Sequence, residues 1–285
     1  MLDEYISTSY LTDSPSISYA EPDAPWLTQK LVASIEVLFG SRKVEAIYNE
    51  LKSRPFELSE FFHQALSRGN IKQNDSPSQL AKIPKNGPLL FVANHPFGII
   101  DGLILCDLAI KARQDFRILL HSRLCQDKDL AKHFLPIDFN NSKAALKNNI
   151  NSKRHARHAL EQNIPVLIFP SGMVSTADKF GLGNVIDSPW STFAAKLIME
   201  TKAAVVPIYF HGQNSRKFHV MSHVAEPLRM ALLVHEAFNK FNQTLDIDIG
   251  DPINWVELEH LPGRKALTEF LYETVQKTRI SNTMD

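Results

Sequence analysis

A histidine and an aspartate with five residues between them, His95 and Asp101, are the side chains in this sequence best spaced to move a proton. They follow an apolar run of strand length, Pro88-Leu89-Leu90-Phe91-Val92-Ala93, which breaks at Asn94-His95-Pro96-Phe97-Gly98. After Gly98 the pattern becomes helical, with Asp101 in the opening turn. A buried strand ending in a polar turn delivers its last side chains to the mouth of a sheet, where α/β proteins place their chemistry. Each residue alone has an ordinary structural reading. The macrodipole favours acids in a helix's first turn whatever their use, and a turn histidine is commonly only hydrogen-bonded. Together they say more, because Pro96 and Gly98 make a sharp turn able to fold the aspartate back on the imidazole. A carboxylate bonded to one ring nitrogen sets the tautomer and leaves the other nitrogen free to take a proton. His95 is the candidate general base and Asp101 the residue that holds it.

Two further strand ends break into polar turns. Phe169-Pro170-Ser171-Gly172-Met173-Val174-Ser175 could offer backbone N–H groups to an anionic headgroup or transition state. Ser171 is a weak candidate nucleophile, since Phe169 occupies the first glycine position of the Gly-x-Ser-x-Gly pattern. Val206-Pro207-Ile208-Tyr209-Phe210-His211-Gly212-Gln213-Asn214-Ser215 reads as a strand with a polar end expected to wall the pocket. The candidate binding residues are therefore Asn94, Pro96 and Gly98, then Phe169, Pro170, Ser171 and Gly172, then Pro207 and His211. His155 with His158, and His219 with His223, are spaced to share a metal. No nearby acid or cysteine completes either set, so no metal site is expected.

The elements that must position these residues read as an α/β fold: a mostly parallel sheet covered by helices on both faces, with an N-terminal helical subdomain. Expected strands are 89–93, 116–120, 166–169, 204–210 and 244–249. Expected helices are 102–113, 128–133, 143–162, 189–201, 227–241 and 263–278. Residues 1–24, rich in Ser, Tyr, Pro and acids, read as a flexible acidic leader. Three helices are expected over 25–73. The first carries Leu27, Leu31, Ile35 and Leu38 and stops at Gly40, the second starts at Ser41, and the third begins near Ser59. A polar linker over 74–86 then leads into the α/β domain, 87–285.

Among the 285 residues, 44% are hydrophobic and 22% charged, ordinary values for a folded domain. Cys106 and Cys125 show no metal-ligand spacing and read as reduced thiols. No signal peptide is expected at the N-terminus, and no apolar run approaches the ~20 residues that span a bilayer. The formal charge of zero is unevenly spread. Residues 1–25 carry five acids and no Lys or Arg, whereas residues 111–160 carry eleven Lys/Arg against four Asp, an excess of seven. The basic block reads either as a solvated helix face or as an attractor of anionic headgroups or an acidic carrier protein. It has few aromatics to stack bases, so nucleic acid is not an expected partner.

The ordered set of turns resembles the glycerolipid acyltransferase superfamily, of the lysophosphatidic-acid acyltransferase-like type. The resemblance rests on Asn94-His95 with the following Asp101, Phe169-Pro170-x-Gly172 and Val206-Pro207-Ile208, and it covers roughly residues 25–275. It is strongest to the hemolysin-like or lyso-ornithine-lipid O-acyltransferase branch of bacterial lipid biosynthesis. That branch shows His-Pro-x-Gly-x-x-Asp (His95 to Asp101), a Leu-Pro-Val-Asp-like block (Leu135 to Asp138) and an Ile-Gly-x-Pro-Ile block (Ile249 to Ile253). There are two departures from the wider superfamily. It places four residues between His and Asp where this chain has five, and its third block usually carries Glu where Ser171 stands. That Glu helps engage a glycerol-phosphate acceptor, so its replacement favours an acceptor lacking glycerol phosphate.

What the resemblance implies is transfer of a fatty acyl group from an acyl carrier protein or CoA thioester to the hydroxyl of a lyso-lipid, such as lyso-ornithine lipid. Lysophosphatidic acid is the alternative acceptor. His95 would be the base, Asp101 would stabilise the imidazolium, and backbone donors near Gly172 would stabilise the oxyanion. No cofactor is expected beyond the acyl-carrier or CoA co-substrate. The implied location is cytoplasmic, peripheral to the inner face of the cytoplasmic membrane. Two rivals remain: a lipid- or partner-binding protein without catalysis, and a hydrolase or thioesterase that needs no acceptor.

Overall fold

Five consecutive apolar residues with no solvent exposure, Leu89–Ala93, form the strand around which the sheet is laid out. A strand buried on both faces is a continuous apolar run rather than an alternating one. The structure, a computed structural model, describes residues 11–12, 26, 30, 41–53, 57–74, 77–178, 180–224 and 226–281. In chain order the described elements begin with α1 (Ser41–Lys52), α2 (Leu58–Arg68), β1 (Lys72–Asn74), α3 (Pro77–Ala81) and β2 (Leu89–Ala93). They continue with α4 (Ile99–Arg113), β3 (Arg117–His121), β4 (Phe134–Ile137), α5 (Lys143–Glu161), β5 (Val166–Ile168) and α6 (Phe193–Thr201). The last are β6 (Ala204–Phe210), α7 (Arg216–Ser222), α8 (Glu226–Asn239), β7 (Thr244–Ile249), α9 (Trp255–Leu258) and α10 (Gly263–Ser281).

The strands lie in the order β1-β7-β6-β2-β5-β3-β4. Strands β2 to β6 are parallel to one another, β7 runs antiparallel to β6, and β1 is parallel to β7. One face of the sheet, including Phe91, Phe116, Val206 and Phe210, packs against α1, α2 and α4. The other, including Leu90, Val92 and Val205, packs against α5, α6 and α10. Burying a side chain such as Phe91 completely stabilises the fold by about 1.5–3 kcal/mol. Helix α4 carries the chain from β2 to β3 over the first face, while α6 carries it from β5 back to β6 over the second. These crossovers leave in opposite directions, and the carboxyl ends of β2 and β5 face the crevice between them. A third apolar cluster, including Val174, Phe218 and Leu233, joins the loop after β5 to α7 and α8 beside that crevice.

The expected strands 89–93, 204–210 and 244–249 are present with those bounds, and β3 is shifted by one residue. Strands β1 and β4 were not expected. β1 is polar, and β4 contains Pro136, which demotes a run in sequence but is tolerated at the sheet edge where β4 lies. The helix expected over 128–133 is replaced by a short 3₁₀ turn at Ala131–His133, and a second such turn, not expected, lies at Ser122–Leu124. The helix expected from Pro189 begins only at Phe193, and α7 had no forecast. Residues 77–81 of the expected linker are helical. The expected leader, apart from residues 11–12, and the helix of Leu27 to Leu38, apart from residue 30, lie outside the described residues. Cys106 and Cys125 are buried and free, and burial pushes both thiols well above their ordinary range.

Candidate active site

The chain leaves β2 through Asn94 and His95, turns at Pro96-Phe97-Gly98, and enters α4 with Asp101 in its first turn. Gly98 makes this possible. Its φ of +93° and ψ of −107° belong to a region essentially reserved for glycine. A Cβ there would lie 3.0 Å from Leu233 Cδ2 and 3.2 Å from Val174 Cγ2. Asp101 Oδ2 accepts from the backbone N–H groups of Phe97 (2.8 Å) and Gly98 (2.9 Å), capping the helix, and the same oxygen accepts from His95 Nδ1 at 2.9 Å. The capping and imidazole-holding readings of this acid therefore coexist on one atom.

Because a carboxylate only accepts, Nδ1 carries the proton and the lone pair resides on Nε2. Among the described residues Nε2 has no hydrogen-bond partner. The His95 side chain is 16% exposed, whereas that of Asp101 is fully buried. Phe169, just past β5, stacks on the imidazole with centroids 4.0 Å apart and planes 21° from parallel. The ring is thus gripped by a carboxylate at one edge and an aromatic on one face, with its basic nitrogen directed elsewhere.

Long-range contacts hold the turn itself. Asn94 is buried, and its amide donates to the Phe210 carbonyl oxygen (2.9 Å) and accepts from the Phe210 N–H (2.7 Å), tying the end of β2 to the end of β6. Asp187 Oδ1 accepts from the His95 backbone N–H at 3.3 Å and from the Ser175 hydroxyl, while its Oδ2 accepts from Trp190 Nε1 at 2.9 Å. Ser175 N–H in turn donates to the His95 carbonyl oxygen (2.8 Å). Asn214 donates to the Phe97 carbonyl oxygen (3.3 Å), and Gly212 leaves room for the Phe97 ring, which a Cβ would approach to 2.9 Å.

Behind Phe97 sits a buried charged group. Lys240 Nζ lies 4.7 Å above the Phe97 ring and donates to the Gln213 carbonyl oxygen at 3.0 Å. Burial lowers the pKa of this ammonium, against the opposing pull of the Glu236 and Asp101 carboxylates. Glu236 accepts from the Ser215 N–H (3.0 Å) and hydroxyl (2.5 Å). Asp101 Oδ1 is buried with no hydrogen-bond partner among the described residues, so Lys240 supplies opposing charge to the carboxylate. Ser175 and Asn214 lie within the two turn stretches picked out from sequence, whereas Asp187, Glu236 and Lys240 were not singled out. Lone polar residues in loops and at a helix end carry no local periodic signal.

The structure gathers Asn94, His95, Pro96, Gly98, Asp101 and Phe169 at one strand-end crevice. The Pro170-Ser171-Gly172 turn follows at the same edge. Its Gly172 N–H is committed to the Phe169 carbonyl oxygen (2.9 Å), and the Ser171 hydroxyl donates to the Met173 carbonyl oxygen (2.8 Å). Pro207 is buried within β6 opposite Val92, with its ring against Gly250. His211 bonds Asp248 through Nε2 (2.5 Å) and meets the Tyr209 ring edge-on, forming a second histidine–carboxylate pair beyond β6. Strand β3 brings His121 to this edge as well, its pKa lowered by burial and by Arg123. His219 and His223 both hold the Ala177 backbone: Nδ1 of the first accepts its N–H (3.3 Å), and Nε2 of the second donates to its carbonyl oxygen (2.9 Å). Among the described residues no three His, Cys, Asp or Glu side chains converge as metal ligands.

A family model described as Acyltransferase matches residues 40–284. The chain is 29% identical over 206 residues to a lyso-glycine lipid O-acyltransferase of Phocaeicola vulgatus, covering 70% of this chain and 71% of the relative. It is 26% identical over 207 residues to a lyso-glycine lipid O-acyltransferase of Bacteroides thetaiotaomicron, covering 70% and 72%. Among solved structures it is similar to the 1-acyl-sn-glycerophosphate (LPA) acyltransferase PlsC of Thermotoga maritima. There the TM-score is 0.50 at 15% identity, over 89% of this chain and 88% of the other, a likeness of fold.

Proposed function

The chain belongs to the acyltransferase family, and on that footing we propose that it moves a fatty acyl group from an acyl carrier protein or CoA thioester to the hydroxyl of a lyso-lipid with an amino-acid headgroup. The observation that carries this reading is the His95–Asp101 pair, whose Nε2 is unpartnered among the described residues at the carboxyl edge of the sheet. In the proposed reaction His95 Nε2 takes the acceptor's hydroxyl proton as the oxygen attacks the thioester carbonyl. The carbon–sulfur bond then breaks, the thiolate leaves, and the imidazolium returns the proton to sulfur. A thiol with pKa near ~8.5 leaves readily, so this route calls for no metal and no strong acid. Asp101 holds the tautomer and stabilises the imidazolium charge. The backbone amides of Ser171 and Met173, unpaired among the described residues, are the proposed oxyanion donors, since Gly172 N–H is already engaged.

Two features support an aminolipid acceptor. Ser171 has neither the charge nor the reach of a glutamate, and its hydroxyl is turned into its own loop. Both bacterial relatives are named for a lyso-glycine lipid, which favours the amino-acid-lipid class within which lyso-ornithine lipid also falls. A lipid acceptor argues for work at a membrane surface, and no described helix is long and apolar enough to cross a membrane. The test is thiol release from acyl carrier or CoA with and without acceptor. A transferase releases thiol only when acceptor is present, whereas release without it would make the protein a thioesterase. His95→Ala should lose at least ~100-fold activity with the fold intact, since a positioned base contributes ~10²–10⁴-fold. Near-wild-type transfer by that variant would remove the assignment.

A further inference from the structure

Seven of the ten large apolar side chains exposed among the described residues belong to the segments that leave the carboxyl ends of β4 and β5, the edge that carries the His95 crevice. Phe139 follows β4 and is 53% exposed, with its ring 3.8 Å from where a Cβ would sit on Gly172. Met173 comes next in that turn. Leu146 and Ile150 project from the first half of α5 with exposures of 62% and 57%. Exposed apolar groups collected at one end, rather than scattered singly, mark an interaction surface.

The charge of α5 is collected there too. Lys143, Leu146, Lys147, Ile150 and Arg154 recur at helical spacing on one exposed stripe. The opposite stripe is buried, with Asn148 Nδ2 and Ser152 Oγ both donating to the Pro136 carbonyl oxygen (2.9 and 2.7 Å). Through the whole helix the only acid is Glu161, in its last turn. Among the described residues Lys143, Lys147 and Arg154 form no ion pair, so their charge faces solvent.

We propose that this end of the molecule docks on an anionic lipid bilayer, with Phe139, Leu146 and Ile150 entering the headgroup boundary and Lys143, Lys147 and Arg154 pairing with lipid phosphates. Water gains nothing from exposed aliphatic side chains, whereas a bilayer boundary takes them in while the lysine stems snorkel to the headgroups. An acidic carrier protein would pair with the same cations, and the variants below separate it from a bilayer. The inference rests on the proposed lipid acceptor and deepens it, because docking through this edge lets an acceptor tail remain in the bilayer while its hydroxyl reaches His95.

The test is flotation of the full chain with vesicles of phosphatidylcholine, alone or mixed with phosphatidylglycerol. The wild type should float with the anionic vesicles and be released by salt. Lys143→Ala/Lys147→Ala should lower that partitioning about 25-fold, roughly fivefold per cation removed. Leu146→Ser/Ile150→Ser should lower it as well, while leaving acyl transfer to detergent-dispersed acceptor unchanged. A wild type that does not float, or a serine variant that floats like the wild type, overturns the proposal. So does a lysine variant that floats normally but has a raised KM for the carrier-protein thioester in micelles, which would assign the stripe to an acidic donor. A wild type that floats on anionic vesicles but transfers nothing in detergent supports the docking and refutes the enzymatic reading alone.

Discussion

Replacing Asp101 by asparagine removes one negative charge from a fully buried position with almost no change of shape, and the geometry around its two oxygens fixes the consequence. Oδ2 accepts three N–H groups, from Phe97, Gly98 and His95. An asparagine must therefore keep its carbonyl oxygen in that place. Its NH₂ then falls on the site of Oδ1, which has no hydrogen-bond partner among the described residues. Burying that donor unpaired costs about 1–3 kcal/mol of stability. The catalytic loss has a separate origin. The Nδ1–H bond to the carboxylate strengthens as the imidazolium forms, and a hydrogen bond to a charged group contributes about 1.5–3 kcal/mol. At 1.36 kcal/mol per tenfold, kcat should fall by roughly 10- to 150-fold. The assay is acceptor-dependent thiol release in detergent micelles, with circular dichroism to confirm folding at the assay temperature. A purely structural role would lower the amount of folded protein without changing kcat per folded molecule. Loss of the partner charge should instead lower kcat in protein that is fully folded. A folded Asp101→Asn protein within about threefold of wild type would refute the role assigned to the pair.

Asn94→Ala should destabilise the protein by about 1–3 kcal/mol for each group it strips, since it leaves both the N–H and the carbonyl of Phe210 without their partner. Denaturant unfolding measures this, and an unchanged midpoint would show that the strand ends are joined by other means. Gly98→Ala should cost at least about 1–3 kcal/mol from backbone strain alone, plus the close approach to Leu233, and activity should fall with it; wild-type melting would contradict the turn geometry. Burial holds the His219 imidazole below its ordinary 6.5, opposed by an Asn214 hydrogen bond and Glu236. The unfolded chain therefore takes up this proton first, and stability present above about pH 6.5 is lost as pH falls toward the depressed native value. Melting temperature should drop from about pH 7 to about pH 5, less steeply in His219→Gln; identical slopes would exclude this histidine as a source.

The sequence by itself determined what is encoded over one or two turns of chain. The apolar runs of β2, β6 and β7 are long enough to name their own strands. Pro96, Gly98 and Asp101 lie close enough to His95 that closing the loop costs little, so the imidazole–carboxylate pair was legible as soon as the turn was. Strands β1 and β4 were not, because a polar trio and a proline-bearing run become strands only when the sheet offers them an edge. Nor were the anchors that make the turn rigid. Asp187 is 92 residues from His95, and Phe210 is 116 from Asn94; such partners are chosen by the strand order, which no local pattern records. The tertiary structure alone placed Lys240 behind Phe97 and brought Phe139 beside Gly172. It also turned the basic stripe of α5 outward by burying the opposite stripe against β4. Hydrogen bonds within a turn need only the chain's own stiffness, whereas these contacts exist because packing helices on both faces of the sheet leaves each side chain one place to go.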